Sequence, residues 1–148
     1  RWRAHATQIE ETRVETFAEV RDFVQAKHDL MIDEPFLLGF ECPVGDRGRR
    51  QSIFLAEIKG EDGRRFLRVE SLVVPLEDFD AEKCLQINYR QRVGYLAVDD
   101  LEGTTYIKLC ENLPYASLDG EALEYVVNHI APLADRFEQV LEYDSDIA

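Results

Sequence analysis

Ser52-Ile53-Phe54-Leu55-Ala56-Glu57-Ile58-Lys59, then Gly60-Glu61-Asp62-Gly63, then Phe66-Leu67-Arg68-Val69-Glu70-Ser71-Leu72-Val73-Val74 up to Pro75, decides how this chain folds. The flanking stretches are rich in β-branched and large apolar residues, and the middle one consists of turn formers. They read as a strand, a four-residue hairpin connection and a strand ended by proline. Working outward, Phe36 to Cys42 alternates and reads as the preceding strand, with Phe36, Leu38 and Phe40 on one face. Gly45-Asp46-Arg47-Gly48-Arg49 is the loop between them. Val93 to Asp99 and Thr104 to Asn112 are two further strands around the turn Asp100-Leu101-Glu102-Gly103.

Helical periodicity frames these strands. Ile9 to about Asp29 places Ile9, Val14, Phe17, Val20 and Val24 on one arc, and Thr7 or Thr12, each three before a Glu, starts it as a capping box. Asp80 caps a short helix reaching Asn88, with Phe79 and Cys84 as a staple. Asp119 caps the last helix, with Leu118 and Leu123 as its staple. There Leu123, Val126, Val127, Ile130, Ala134, Phe137 and Leu141 form one stripe, and Pro132 falls opposite it, so a bend is expected and no break. The predicted order is α-β-β-β-α-β-β-α. It describes an α+β fold with an antiparallel five-stranded sheet carrying helices.

Composition narrows the function. The 148 residues suit one domain over 1–148, with its core at about 9–142, and the apolar content excludes intrinsic disorder. A net charge of −13 argues against nucleic acid or an anionic membrane as partner. Absence of an apolar run of about 20 residues argues against a spanning helix. Cys42, Cys84 and Cys110 are odd in number and far apart, which fits reduced thiols and a cytoplasmic setting. The chain opens Arg1-Trp2-Arg3 without a Met, so a trimmed N-terminus is expected.

Catalytic and metal chemistry finds no foothold. His5, His28 and His129 fall in different segments, without ligand spacing. Asp99-Asp100-x-Glu102 and Asp144-x-Asp146 do not follow a calcium loop. Nucleophile-elbow and phosphate-loop patterns are absent, and no histidine lies near Cys42 or Cys110 in sequence. The expectation is no catalytic residues, no metal and no cofactor.

In this order, the elements resemble the class I type III secretion chaperones. The second half resembles the YbjN-like family of that fold, through Cys84-Leu85-Gln86-Ile87-Asn88, Val93-Gly94-Tyr95-Leu96-Ala97-Val98, Leu113-Pro114-Tyr115-Ala116-Ser117-Leu118-Asp119 and Ala134-Asp135-Arg136-Phe137. The resemblance implies a small acidic homodimer that holds an extended segment of a client protein, and it brings no catalytic residues.

Face assignment supplies a candidate surface. Leu67, Val69, Ser71 and Val73 are taken as core-facing, with Phe54, Ala56, Ile58, Leu96, Val98, Ile107 and Leu109. The opposite face then carries Ile53, Leu55, Phe66, Leu72, Tyr95 and Tyr106, too many large apolar groups for a wet surface. Burying about 500 Å² of such a patch contributes roughly 12 kcal/mol gross, from which association costs subtract. Three uses remain open: cover by the chain's own first helix, a homodimer interface, or a groove for a peptide or protein client. Seven basic side chains (Arg47, Arg49, Arg50, Lys59, Arg64, Arg65, Arg68) and a local net of −10 over residues 93–148 read either as partner-facing charge or as solvated surfaces. The expected function is a non-enzymatic, homodimeric peptide- or protein-binding module. The alternative is a small-molecule or catalytic domain with a pocket between sheet and helices.

Overall fold

The computed structural model describes residues 13–75 and 80–147, with side chains described to residue 140. In chain order it contains α1 (Phe17–Gln25), β1 (Ile32–Glu34), β2 (Leu37–Val44), β3 (Arg49–Lys59), β4 (Arg65–Pro75), α2 (Ala81–Arg90), β5 (Tyr95–Leu101), β6 (Thr104–Pro114), a single 3-10 turn (Tyr115–Ser117) and α3 (Gly120–Ile147). The strands form one antiparallel sheet in the order β1-β2-β3-β4-β6-β5. The fold is α+β as expected, but the sheet has six strands, not five. The addition is the three-residue β1, which pairs Ile32 with Gly39 and Glu34 with Leu37. It is too short to show the alternation by which strands are read.

Helix α1 starts later than its periodicity suggested. Thr16 is the N-cap in extended conformation, its hydroxyl accepting from the Glu19 N–H at 3.2 Å. The Glu19 carboxylate accepts from the Glu15 N–H at 2.9 Å, completing the reciprocal bonding of a capping box. Val14 fits the helical arc yet lies before the helix, its N–H donating to the Leu118 carbonyl at 3.1 Å. Thr7, Ile9 and Thr12 lie outside the described residues, as does the Phe79 half of the staple on α2.

The turns follow backbone chemistry. Gly63 has φ +84°, and the Gly60 N–H donates to the Arg64 carbonyl at 2.7 Å, closing the β3–β4 hairpin. Between β5 and β6, Glu102 (φ +50°) and Gly103 (φ +85°) both take the left-handed region, as a two-residue hairpin turn twisted with its strands requires. Asp80 and Asp119 cap α2 and α3, accepting from Lys83 N–H at 3.2 Å and Ala122 N–H at 2.7 Å. Such a cap contributes about 1 kcal/mol. Helix α3 continues past Pro132, whose side chain is exposed.

Helices α1 and α3 lie on one face of the sheet. Their buried residues Phe17, Val20, Val24, Leu123, Val126, Val127, Ile130 and Ala134 meet Leu38, Phe40, Ile53, Leu55, Leu67, Val69, Ile107 and Leu109. Ser71, on this inner face, accepts from Gln51 Nε2 at 2.9 Å and donates to the Ser52 carbonyl at 2.7 Å, so the polar group in the core is satisfied. Phe36 does not join Leu38 and Phe40. It precedes β2, is 62% exposed, and stacks on Phe17 at 6.4 Å between ring centroids. Val98 shares the inner face with Ile107 but is 58% exposed. The reason is coverage: β5 is an edge strand, and α3 packs mainly over β2, β3, β4 and β6.

The seam between α1 and α3 carries a titrating group. The His28 ring stacks on Phe40 at 4.5 Å. Burial, then the neighbouring Lys27 charge, push its pKa below 6.5, with Glu124 partly offsetting them. The folded state therefore favours neutral imidazole. This contribution is complete above the unfolded value and is lost as pH falls from there toward the lowered folded value. Between about pH 7.5 and 5.5, the urea midpoint of the wild type is expected to fall further than that of His28→Gln. Equal falls would remove His28 from the acid response.

Candidate functional site

Strand register sorts the six residues nominated from sequence. Leu55 pairs with Val69 across β3 and β4, and Ile53 with Phe40 across β2 and β3, so both point toward α1 and α3. Each is 0% exposed. Ile53 and Leu55 are core residues and no part of an outer surface. Phe54, Ala56 and Ile58, expected inside, take their place on the outer face and are all half-buried. The other four, Phe66, Leu72, Tyr95 and Tyr106, do lie on that face, also half-buried.

The outer face has two regions. Toward the β2–β4 side, Leu37 lies opposite Ala56, and Ile58 opposite Phe66, with Phe54 next to Ala56 on the same face of β3. Toward β6 and β5, polar side chains bonded to one another stand among Leu72, Tyr95 and Tyr106. Arg68 Nε donates to Asn112 Oδ1 at 3.0 Å, and Asn112 Nδ2 donates to the Tyr95 hydroxyl at 2.9 Å. Lys108 stands 3.7 Å from Glu70 and 3.2 Å from Asp99. The Lys108 hydrogen bond holds the Asp99 carboxyl below its ordinary value. Helix α1 packs into the core on the opposite side, so cover by the first helix, as far as it is described, does not apply.

A second exposed apolar feature escaped the sequence reading. On α2, Leu85 is 68% and Tyr89 92% exposed, one turn apart on the same helix face. The signal was present as an i, i+4 apolar pair, but Cys84 and Ile87 pack inward and obscured which side faced solvent.

Among the described residues no cluster of His, Cys, Asp and Glu is arranged to hold a metal, and no helix is long and apolar enough to cross a membrane. Burial pushes the Cys42 thiol up to about 11 and the Cys110 thiol up to about 12, the latter helped by Glu70. Both are protonated near neutrality and poor nucleophiles. The crevice between α1 and α3, lined by Phe23, His28, Phe40 and Leu123, offers about 40 Å³, room for little more than water. Most of the basic stretch is neutralised within the chain: Arg49 by Asp135 at 2.7 Å, Arg50 by Glu41 at 2.9 Å, Arg64 by Asp62 at 3.1 Å and Arg65 by Glu57 at 3.6 Å.

No family model and no curated protein matches the sequence. Among solved structures, a chain of the HopA1–SchA chaperone–effector complex superposes with a TM-score of 0.55 at 13% identity, covering 91% of this chain and 97% of that one. The two chains share a fold. The predicted helix–strand order, with β1 added, thus has a counterpart in three dimensions. At 13% identity the likeness concerns the fold. The outer sheet face and the α2 ridge both present apolar side chains that no described element covers.

Proposed function

We propose that the protein is a non-enzymatic, cytoplasmic, homodimeric protein-binding module, related in role to the type III secretion chaperones and to the YbjN-like family. It would bury an extended client segment against the outer sheet face. One observation carries the reading: Phe54, Ile58, Phe66, Leu72 and Tyr95 share a sheet face that none of the described helices covers. The structural neighbour, a chain from a chaperone–effector complex, supports a protein client. Leu85 and Tyr89 on α2 offer a separate surface for the second copy. Separate surfaces would let one protomer bind a client and its partner at once.

Phe66→Asp and Tyr95→Asp test the reading. Each adds a charge at a half-buried outer position, so far-UV circular dichroism should be unchanged while client capture drops at least tenfold, as for a central interface residue. Loss of folding would make these side chains core and remove the surface. Sedimentation of the wild type should give a dimer at high micromolar concentration. A strictly monomeric species would overturn the homodimer.

A further inference from the structure

We propose that the segment held on the outer sheet face carries a carboxylate side chain among its apolar ones, and that Arg68 is the anchor for that carboxylate. This rests on the protein-binding reading above and specifies the chemistry of the client.

The argument starts from how Arg68 is held. It is half-buried on β4, with Ala56 and Asn112 opposite it on the neighbouring strands and Phe66 and Glu70 on either side along its own. Its side-chain hydrogen bond among the described residues runs from Nε to Asn112 Oδ1, a neutral acceptor. Asn112 is itself oriented by its amide bond to the Tyr95 hydroxyl. Arg49, Arg50, Arg64 and Arg65 each have a carboxylate within 4 Å, and Lys108 has two. Arg68 forms no such pair among the described residues; the Asp99 carboxylate, already bonded to Lys108, feels its charge only from beyond ion-pair distance. Glu70, its nearest acid along the strand, is engaged by Lys108 at 3.7 Å and by the Cys110 thiol at 3.8 Å.

A client that covers Phe54, Ile58 and Phe66 must also cover Arg68, because strand neighbours sit only about 5 Å apart. An apolar segment would strip water from the guanidinium and leave a buried charge facing a neutral amide, which is costly. A carboxylate at that position converts the cost into a charge-assisted pair, with the terminal nitrogens of the guanidinium available for a two-pronged contact. Repulsion from Glu70 is countered by Lys108 beside it. The face therefore selects an extended segment with apolar residues on alternate positions and one Asp or Glu among them.

The test uses three fluorescein-labelled peptides of about twelve residues, alternating Leu with Ser, identical except for Glu, Gln or Lys at the centre. Anisotropy titration against the full chain should show the Glu peptide binding about tenfold tighter than the Gln peptide, as for a hydrogen bond to a charged group. Arg68→Gln should level the two, Arg68→Lys should retain part of the preference, and Arg68→Glu should favour the Lys peptide. Urea midpoints of the three variants show whether the fold is intact. Equal binding of Glu and Gln peptides to the wild type, with both weakened by Phe66→Asp, would overturn the carboxylate anchor and leave the binding surface standing. Failure of all three peptides, or binding indifferent to Phe66→Asp, would sink the surface itself. Binding that emerges only on dilution, as copies separate, would assign the face to a second copy and overturn the client.

Discussion

Leu55→Asp is expected to unfold the protein, while Phe54→Asp, one residue away, leaves it folded. Leu55 is 0% exposed, lies between Leu38 and Val69 on the neighbouring strands, and faces the helices. An aspartate there has no counter-charge in an apolar layer, and neither neutralisation nor ionisation is cheap. The milder Leu55→Ala removes the same contacts without a charge and should cost about 2–5 kcal/mol, read from urea denaturation. Phe54 is half-buried on the other face, where a carboxylate reaches water. Circular dichroism of the two aspartate variants decides the matter. If Leu55→Asp keeps its secondary structure and Phe54→Asp loses it, the register of β3 is off by one residue and the candidate surface is inverted.

Gly94→Ala is the second large effect. Gly94 lies buried just before β5 with φ +92°, a conformation that side-chain-bearing residues rarely adopt. A methyl group there would stand 3.0 Å from Ile130 Cδ1 and 3.2 Å from Leu109 Cδ1, both in fully buried side chains. Its N–H also donates to Glu111 Oε2 at 2.8 Å, which pins the backbone in place. Backbone strain and crowding together should cost about 2–4 kcal/mol. The comparison is Gly103→Ala, at φ +85° in an exposed turn, where nothing lies within 4 Å of the added carbon. That variant carries the strain alone and should lose less. Equal losses in urea denaturation would show that the crowding against Ile130 and Leu109 contributes nothing.

The same hairpin that reveals the fold explains the misassigned face. A four-residue connection, Gly60 to Gly63, would set Lys59 opposite Arg64 and thereby place Phe54 beside Val69. The actual connection has five residues, Gly60 to Arg64, closed by the Gly60–Arg64 bond, and Lys59 pairs with Arg65. One residue of slip moves every side chain of β3 to the other side of the sheet. The stretch Ile53 to Ile58 could not warn of this, because both of its alternate sets are largely apolar. Four of the six nominated residues kept their place because β4, β5 and β6 mix polar and apolar residues on the outer face. There the set with Arg68, Glu70 and Lys108 could only be the wet one.

Local chemistry alone settled five of the six strands, the Asp80 and Asp119 caps, the stripe of α3 from Leu123 to Phe137 and the place, though not the length, of the β3–β4 turn. Each depends on residues within one or two turns of the chain, and alternation or helical spacing records them directly. Tertiary structure decided the parity of β3, the late start of α1, the small β1 and the lack, among the described residues, of a carboxylate within ion-pair distance of Arg68. These depend on hydrogen-bond partners and packing between segments far apart in the chain, which no periodicity within a single segment encodes.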